Sequence, residues 1–294
     1  MSPQTPVSEV EIAAPLVRGL LAEQHPDLAD LPLERIDEGW DNVMYRLGES
    51  LTVRLPRRSA AAELIRHEQA WLPILAPVLP IPVPVPTRIG HPTGDYPWFW
   101  SIGPWIEGRP ANLNWPRVDQ APVLAAFLRA LHQPSPTAAP VNPFRGVPLR
   151  DRAPVVEPCL ERLRSALGRL HDPLVGLWTR ALAAAPSTLA VWLHGDLHAR
   201  NVLARDGVIT GVIDWGDMTG GDAATDLSAA WSLLADPGAR RVMLKAYDPS
   251  PDLIARAMGW AISHGTVLLE SGLADHPLHE HMGRVTLERL VADG

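Results

Sequence analysis

The residues with the clearest capacity for chemistry lie in one stretch, Val191 to Asp217, which reads Val-Trp-Leu-His-Gly-Asp-Leu-His-Ala-Arg-Asn-Val-Leu-Ala-Arg-Asp-Gly-Val-Ile-Thr-Gly-Val-Ile-Asp-Trp-Gly-Asp. Asp196, Asn201 and Asp214 stand out in it. Asp206-Gly207 is a strong hairpin signal, flanked by Asn201–Arg205 and Val208–Asp214. In a two-residue turn Arg205 faces Val208, which sets Asn201 opposite Val212. Asp214 then lies two positions further along on the same face. Diagonal neighbours of this kind are roughly 7–8 Å apart. An amide oxygen and a carboxylate so placed suit one small hard cation, and Mg²⁺ fits because it keeps sites for phosphate and water. Asp196 enters from the loop before the hairpin and reaches the same cavity.

Other readings of the same residues are plainer. An Asp-Gly hairpin alone is a common turn, and His194 alone reads as a hydrogen-bonded scaffold residue. Asp222 and Asp226 suit the cap of a helix starting near Asp226. The combination of His-Gly-Asp, an Asn five residues on, a hairpin and Ile-Asp-Trp-Gly is what lifts the segment above these.

The elements around it divide the chain in two. Ser8 and Glu11 fit a capping box for a first helix over 9–24. Val43–Leu47 and Leu51–Leu55 read as strands about Gly48-Glu49-Ser50. In the second, Thr52 and Arg54 share one face, and Leu51, Val53 and Leu55 the other. A helix is expected over 59–75 with Leu64, Trp71, Leu72 and Leu75 as its apolar stripe. Leu79–Pro86 must be extended because it alternates with proline, and Trp98–Ile106 reads as a further strand. Beyond it the pattern is helical: 118–132, 155–170, 173–185, 239–247 and 251–272. The expected organisation is a small β-rich lobe over 1–105 and a larger helical lobe over 106–294.

Composition narrows the function classes. The 294 residues carry 26 basic and 33 acidic side chains, a net charge of −7, which argues against nucleic acid as a partner. The one lysine, Lys245, sits in Met-Leu-Lys-Ala, so there is no Walker A loop. The single cysteine, Cys159, allows no internal disulfide and suggests a reducing compartment. The longest uncharged run, 70–86, holds prolines at 73, 77, 80, 82, 84 and 86, which a membrane-spanning helix would not survive. With no basic and apolar leader at the start, the expectation is a cytoplasmic protein with no membrane partner. His276, His279 and His281 fail the spacing of metalloprotease motifs and read as an exposed polar helix turn.

His194-Gly-Asp-Leu-His-Ala-Arg-Asn201 resembles the catalytic loop of the aminoglycoside phosphotransferase family, relatives of protein kinases. Ile213-Asp-Trp-Gly-Asp217 resembles its metal-binding motif. Gly221-Asp-Ala-Ala-Thr-Asp-Leu227 resembles the Gly-Asp-Pro-x-x-Asp-Leu that follows, with Ala223 in the place of proline. Upstream, Gly39–Leu47 is similar to the nucleotide loop and Trp105-Ile-Glu-Gly108 to the end of the interlobe hinge. The resemblance implies an α+β, two-lobed protein-kinase-like fold and a Mg²⁺-dependent kinase using ATP or GTP. It implies Asp196 as the residue that accepts the proton of a substrate hydroxyl, and Asn201 and Asp214 as magnesium ligands. It also implies a turn of Trp40, Asp41, Asn42 and Val43 over the phosphates, and a purine held at the hinge, where Ser101, Gly103 and Trp105 are the candidates.

The family's phosphate-binding lysine is missing, and Arg54 is its only sensible replacement. A plain surface arginine is the other reading of Arg54. As a phosphate ligand Arg54 requires an acidic partner. Glu68 is the candidate, being a charge on the buried stripe of its helix, with Glu63 as the fallback. For the acceptor, Asp217, Asp222 and Glu270 are candidates, and such acids suit a polycationic aminoglycoside-like antibiotic. A kinase of a macrolide, or of a metabolite such as choline, homoserine or a sugar, is the alternative. So is a nucleotide-binding protein without transferase activity.

Overall fold

The computed structural model describes residues 7–38 and 41–294, and Trp40 lies outside them. The first part of the chain builds a five-stranded antiparallel sheet from β1 (Leu33–Glu38), β2 (Asn42–Leu47), β3 (Leu51–Pro56), β4 (Arg88–Gly90) and β5 (Trp100–Pro104), in the order β1-β2-β3-β5-β4. Two helices accompany it, α1 (Ala14–Gln24) and α2 (Ser59–Leu75).

The period of two decides what each face does. Val43, Tyr45, Leu47, Val53, Leu55, Trp100 and Ile102 form a dry core with Val17, Leu20 and Leu21 of α1. The opposite face carries Met44, Arg54 and Ser101 in one cross-strand row, and Arg46, Thr52 and Gly103 in the next. Val43 was expected in the phosphate-covering turn. It is instead a strand residue, 1% exposed and sealed in the core.

The capping box at Ser8 and Glu11 does not form. Pro15, within the first turn of α1, fixes the start of that helix at Ala14, because proline tolerates only the first turn. The Ser8 hydroxyl donates to the carbonyl of Val10. It is Glu9 that caps a helix, accepting from the amide and hydroxyl of Ser59 at the start of α2.

The helical part contains α3 (Ala121–Leu131), α4 (Ala153–Arg162), α5 (Arg164–Leu167), α6 (His171–Ala183), α7 (Ala224–Leu227), α8 (Ala229–Leu233), α9 (Pro237–Tyr247), α10 (Pro251–Asp275) and α11 (Pro277–Asp293). Two small sheets are set into it: β6 (Arg109–Pro110) with the hairpin β8 (Val202–Arg205) and β9 (Val208–Val212), and β7 (Val191–Leu193) with β10 (Thr219–Gly221). A second core fills this part, with Trp215, Trp231 and Trp260 wholly buried. Leu72 and Leu75 of α2, with Ile81 and Val83 of the extended run, belong to this second core. Helix α2 therefore joins the two halves, and packing does not divide at the chain position where the pattern changes. No helix among the described residues is long and apolar enough to cross a membrane.

His279 is 8% exposed and stacks on His276 at 3.8 Å, so it is not part of an exposed turn. The reason is the close pairing of α10 with α11. A side chain on Gly272 would meet the backbone of Glu280 at 2.0 Å, so the helix carrying His279 is drawn onto α10. Glu280 and Arg284 pair with each other on the more open side of α11.

Candidate active site

A cavity of about 580 Å³ lies between the sheet and the helical part. Its roof is the polar face of β2, β3 and β5. Asn42, Met44, Thr52, Arg54, Ser101, Gly103 and Trp105 line it. Pro84, Pro86, Ile106, Leu203 and Ile213 give that end apolar walls. Trp105 is held by its amide donating to the carbonyl of Ser50 and by Arg46, whose guanidinium sits 4.7 Å from the ring. Asp41 lines the cavity too, paired with Arg58.

Arg54 projects from β3 into this space and is met by two carboxylates. Its Nη1 lies 2.7 and 2.6 Å from the two oxygens of Glu68, and its Nη2 lies 2.5 Å from Oδ1 of Asp214. Both periodicities in the sequence were needed for this pair: Arg54 sits on the polar side of its strand, and Glu68 on the inner side of α2. Burial pushes the Glu68 carboxyl up to about 7 against the pull of Arg54. Burial would lower the Arg54 guanidinium, but the charges of Glu68 and Asp214 outweigh it and raise it. Glu63, the fallback, lies near Arg66 and His67 on the outer side. Gln69 donates to the carbonyl of Trp100 and the hydroxyl of Ser101, tying α2 to β5.

The floor is the segment from β7 to β10. Gly195 has φ 86°, and a side chain there would strike the carbonyl oxygen of Asp217 at 2.3 Å, so only glycine lets these two loops touch. Asp226 at the start of α7 is wholly buried and accepts from the amides of His194 and Gly195 at 2.7 and 2.9 Å. Burial pushes Asp226 up, but its bond to His132 and these contacts prevail and hold it low. The His194 ring receives the Asp196 amide at Nδ1 and donates from Nε2 to the carbonyl of Ile213, so both nitrogens are occupied in bracing the loop. Asp196 then points into the cavity.

The hairpin differs from its expected register. Arg205 faces Val208, and Asp206 and Gly207 take the positive φ values of a tight turn. An extra residue, Thr210, bulges from β9, so Val202 rather than Asn201 pairs with Val212. Gly211 packs against Ile106, and Thr210 lies against Gly108, so the hinge occupies the space that a regular strand would cross. The slip moves Asn201 beyond the end of β8, where its carbonyl accepts from the amide of Ile213. Asp214 follows at φ 63°, a left-handed turn that swings its side chain back into the cavity. Asn201 and Asp214 therefore share the cavity through two strand ends and not through one strand face.

Asp196, Asn201 and Asp214 form a connected group. The Asn201 amide nitrogen donates to the Asp196 carbonyl at 2.9 Å and its carboxylate at 3.4 Å, and the amide oxygen takes no protein donor among the described residues. The other contacts of Asp196 come from residues that sequence reasoning missed. Arg145 Nη2 lies 2.9 Å from Oδ1, and His198 Nε2 3.3 Å from Oδ2. Burial pushes the Asp196 carboxyl up, but His198 and Arg145 hold it well below the usual carboxylate range. Arg145 sits in a proline-rich loop with no periodicity to give it away. That loop is laid along β10: Gly146 packs against Gly221, its carbonyl accepts from Asp222, and the Asn142 amide donates to Thr219. His198 was within the quoted motif, two residues from Asp196, but nothing in the text marks its direction.

The expected acceptor acids separate. Asp217 lines the cavity and accepts from the side chain of Asn142 at 2.7 Å. Burial, relieved in part by Arg145 and augmented by Asp196, pushes it up. Asp222 is buried away from the cavity, held by Nε and Nη2 of Arg256 and accepting from the amide of Ala224. Glu270 is bound by Arg162 on the outer side of α10. Each of these two carboxylates is taken by an arginine from a distant element, which spacing alone does not reveal.

The family model described as the phosphotransferase enzyme family matches residues 32–260. Stress response kinase A of Escherichia coli (strain K12) is 25% identical over 248 residues, covering 75% of this chain and 72% of that protein. The GDP and kanamycin complex of APH(2″)-IIIa shares the fold with a TM-score of 0.71 at 19% identity, over 95% of this chain and 99% of that one. Macrolide 2′-phosphotransferase MphH from Brachybacterium faecium superposes with a TM-score of 0.61 at 21% identity, over 93% and 97%. A β-sheet roof, a mostly helical floor and a sequence match across most of its length place one conclusion beyond the motifs alone: the chain belongs to the phosphotransferase enzyme family and has its two-lobed, protein-kinase-like α+β fold.

Proposed function

We propose that the protein is a small-molecule kinase that moves the γ-phosphoryl group of ATP or GTP to a hydroxyl. The observation that carries this reading is the convergence of Asp196, Asn201, Asp214 and Arg54 on one cavity from three chain segments: β3, the loop between β7 and β8, and the turn after β9. The GDP bound in the APH(2″)-IIIa relative supports a nucleotide donor.

The donor set suits Mg²⁺. Among the described residues the amide oxygen of Asn201 and the second carboxylate oxygen of Asp214 have no protein partner, and both residues line the cavity with hard oxygens. When bound there, the ion would neutralise charge on the nucleotide phosphates. Arg54 would add a second positive charge at the phosphates while Glu68 keeps its side chain aimed. A guanidinium offers a planar fork where the family's ammonium is a point, so its contact with phosphate would differ in geometry.

Asp196 would accept a hydrogen bond from the incoming hydroxyl. As the new phosphorus–oxygen bond forms, the bond to the β-phosphate oxygen breaks, and the hydroxyl proton passes to Asp196. The low proton affinity of Asp196 suits a loose transition state, in which orientation of the alcohol matters more than early proton removal. Asn142, Asn201 and His198 hold the surrounding oxygens in place. The purine would lie between the proline-lined wall and Ile213, beside Ser101, Gly103 and Trp105.

The test is transfer of labelled γ-phosphate to an alcohol panel in the presence of Mg²⁺. The expected result is a phosphate ester as product, with kcat lowered by roughly 10²–10⁴-fold in Asp196→Asn. Nucleotide binding with no ester formed on any alcohol would favour a nucleotide-binding protein without transferase activity.

A further inference from the structure

The acceptor end of the cavity, beyond Asp196, is lined by Arg145, Arg152, Arg200, His198, His264 and His279. Only two carboxylates, Asp196 and Asp217, face the same end among the described residues, and both are already engaged. Asp196 holds Arg145 and His198, and Asp217 holds Asn142. The acids expected to receive a cation, Asp222 and Glu270, are bound elsewhere by Arg256 and Arg162. What remains is an excess of positive charge.

Two of these cations lack counter-charges. Among the described residues Arg152, at the start of α4, makes no ion pair, and its Nε is buried with no hydrogen-bond partner. Arg200 has no carboxylate partner among the described residues either. A guanidinium left half-buried without an acceptor is costly unless a ligand supplies one. Burial, and then the neighbouring charge of Arg145, lowers the Arg152 guanidinium, which marks a cation held where it is unwelcome. His264 stands beside them on the cavity wall, partly buried, its Nε2 also without a partner among the described residues. Burial and Arg145 push it down to about 3, so it offers a neutral ring for hydrogen bonding. Ser263 adds a buried hydroxyl with no partner.

Building on the kinase reading above, we propose that the acceptor is an alcohol carrying an anionic group, a carboxylate or a phosphate ester, which Arg152 and Arg200 receive while its hydroxyl is presented to Asp196. The planar fork of a guanidinium matches either anion with two parallel bonds. A polycation would enter against Arg145, Arg152 and Arg200 with no free carboxylate to meet it.

The experiment offers Mg–ATP and Mg–GTP with five acceptors: D-glycerate, glucose 6-phosphate, glycerol, choline and kanamycin. Labelled phosphate transfer is read for each. The expected result is a kcat/KM at least about ten-fold higher for one of the two anions than for glycerol, choline or kanamycin, and the preferred anion distinguishes carboxylate from phosphate recognition. Arg152→Ala should raise the KM for that anion by roughly 10–100-fold, the scale of a lost charge-assisted bond. Arg152→Lys should recover part of it, which also shows that the site folds. Preference for choline or kanamycin overturns the proposal, as does a rise confined to the nucleotide KM in Arg152→Ala. If no acceptor is phosphorylated, the midpoint shift that each produces with Mg-nucleotide present decides, and equal shifts for anions and cations overturn it. Absence of any Mg-nucleotide binding defeats the kinase reading itself, a separate outcome.

Discussion

Arg54 and Asp214 meet at 2.5 Å although 160 residues separate them, and their contact joins the central strand of the sheet to the turn after the hairpin. The same guanidinium is shared with Glu68, which is 3% exposed. One side chain thus fixes α2, the sheet and the turn that bears Asp214 in a single arrangement.

Arg54→Ala should therefore strand Glu68 as a buried charge. The expected loss is about 3 kcal/mol at pH 8, the scale for breaking a buried pair. It should be smaller at pH 6. Glu68, already pushed up to about 7, takes a proton there and the charge disappears. Urea unfolding at the two pH values checks this, and Arg54→Lys should retain most of the stability at both.

His264 predicts a pH dependence of a definite sign. Its folded value is pushed down to about 3 by burial and by Arg145, below an ordinary value of 6.5. The unfolded chain therefore binds the proton first. The stability it contributes is complete above 6.5 and is lost as the pH falls toward 3, by roughly 1.4 kcal/mol per unit. His264→Phe should flatten the fall in urea midpoint between pH 7 and 5 relative to the parent protein. An unchanged slope would show that the ring is not buried neutral.

Asp226→Asn replaces a carboxylate that accepts two backbone amides with a group that has one accepting oxygen. One amide, of His194 or Gly195, is left unsatisfied in a fully buried place. A loss of about 1–3 kcal/mol is expected. A fall in phosphate transfer with little change in nucleotide KM should accompany it, because the loop that aims Asp196 is loosened.

Gly272→Ala tests the pairing of the last two helices. A methyl group there meets the amide nitrogen of Glu280 at 2.0 Å, a backbone atom that cannot turn aside. Separation of α10 and α11 should follow, with a loss of at least about 1–3 kcal/mol by overpacking. Ala261→Gly, at a buried site on the same helix, should cost about 1 kcal/mol through propensity and so serves as the comparison. A thermal midpoint lowered equally in both would mean that the contact bears no load.

Much of the fold was legible because its periodicities are strong. The strands about Gly48 and the helix over 59–75 follow from alternation and from an apolar stripe, and together they brought Arg54 to Glu68. The edge strand β1 was not legible: Leu-Glu-Arg-Ile-Asp-Glu is polar on both faces, as edge strands are when they resist pairing. The residues from His194 to Asn201 were readable as a motif, but their geometry was not. The bulge at Thr210 depends on Gly108 and Ile106, about a hundred residues away. Arg145 was hidden for the same kind of reason, since the loop bearing it takes its shape from β10. Asp222 and Glu270 show the converse, because a carboxylate near a motif tells nothing of the arginine that already holds it.

The central claim is that Asn201 and Asp214, from two strand ends, act as one magnesium–nucleotide site facing Asp196. The most direct measurement is calorimetric titration of a non-hydrolysable ATP or GTP analogue, with Mg²⁺ and with chelator, into the parent protein and into Asp214→Asn. The account predicts binding that depends on the ion in the parent protein and is weakened at least ten-fold in the variant, with the remaining affinity indifferent to Mg²⁺. Equal, metal-independent binding by both proteins would contradict it.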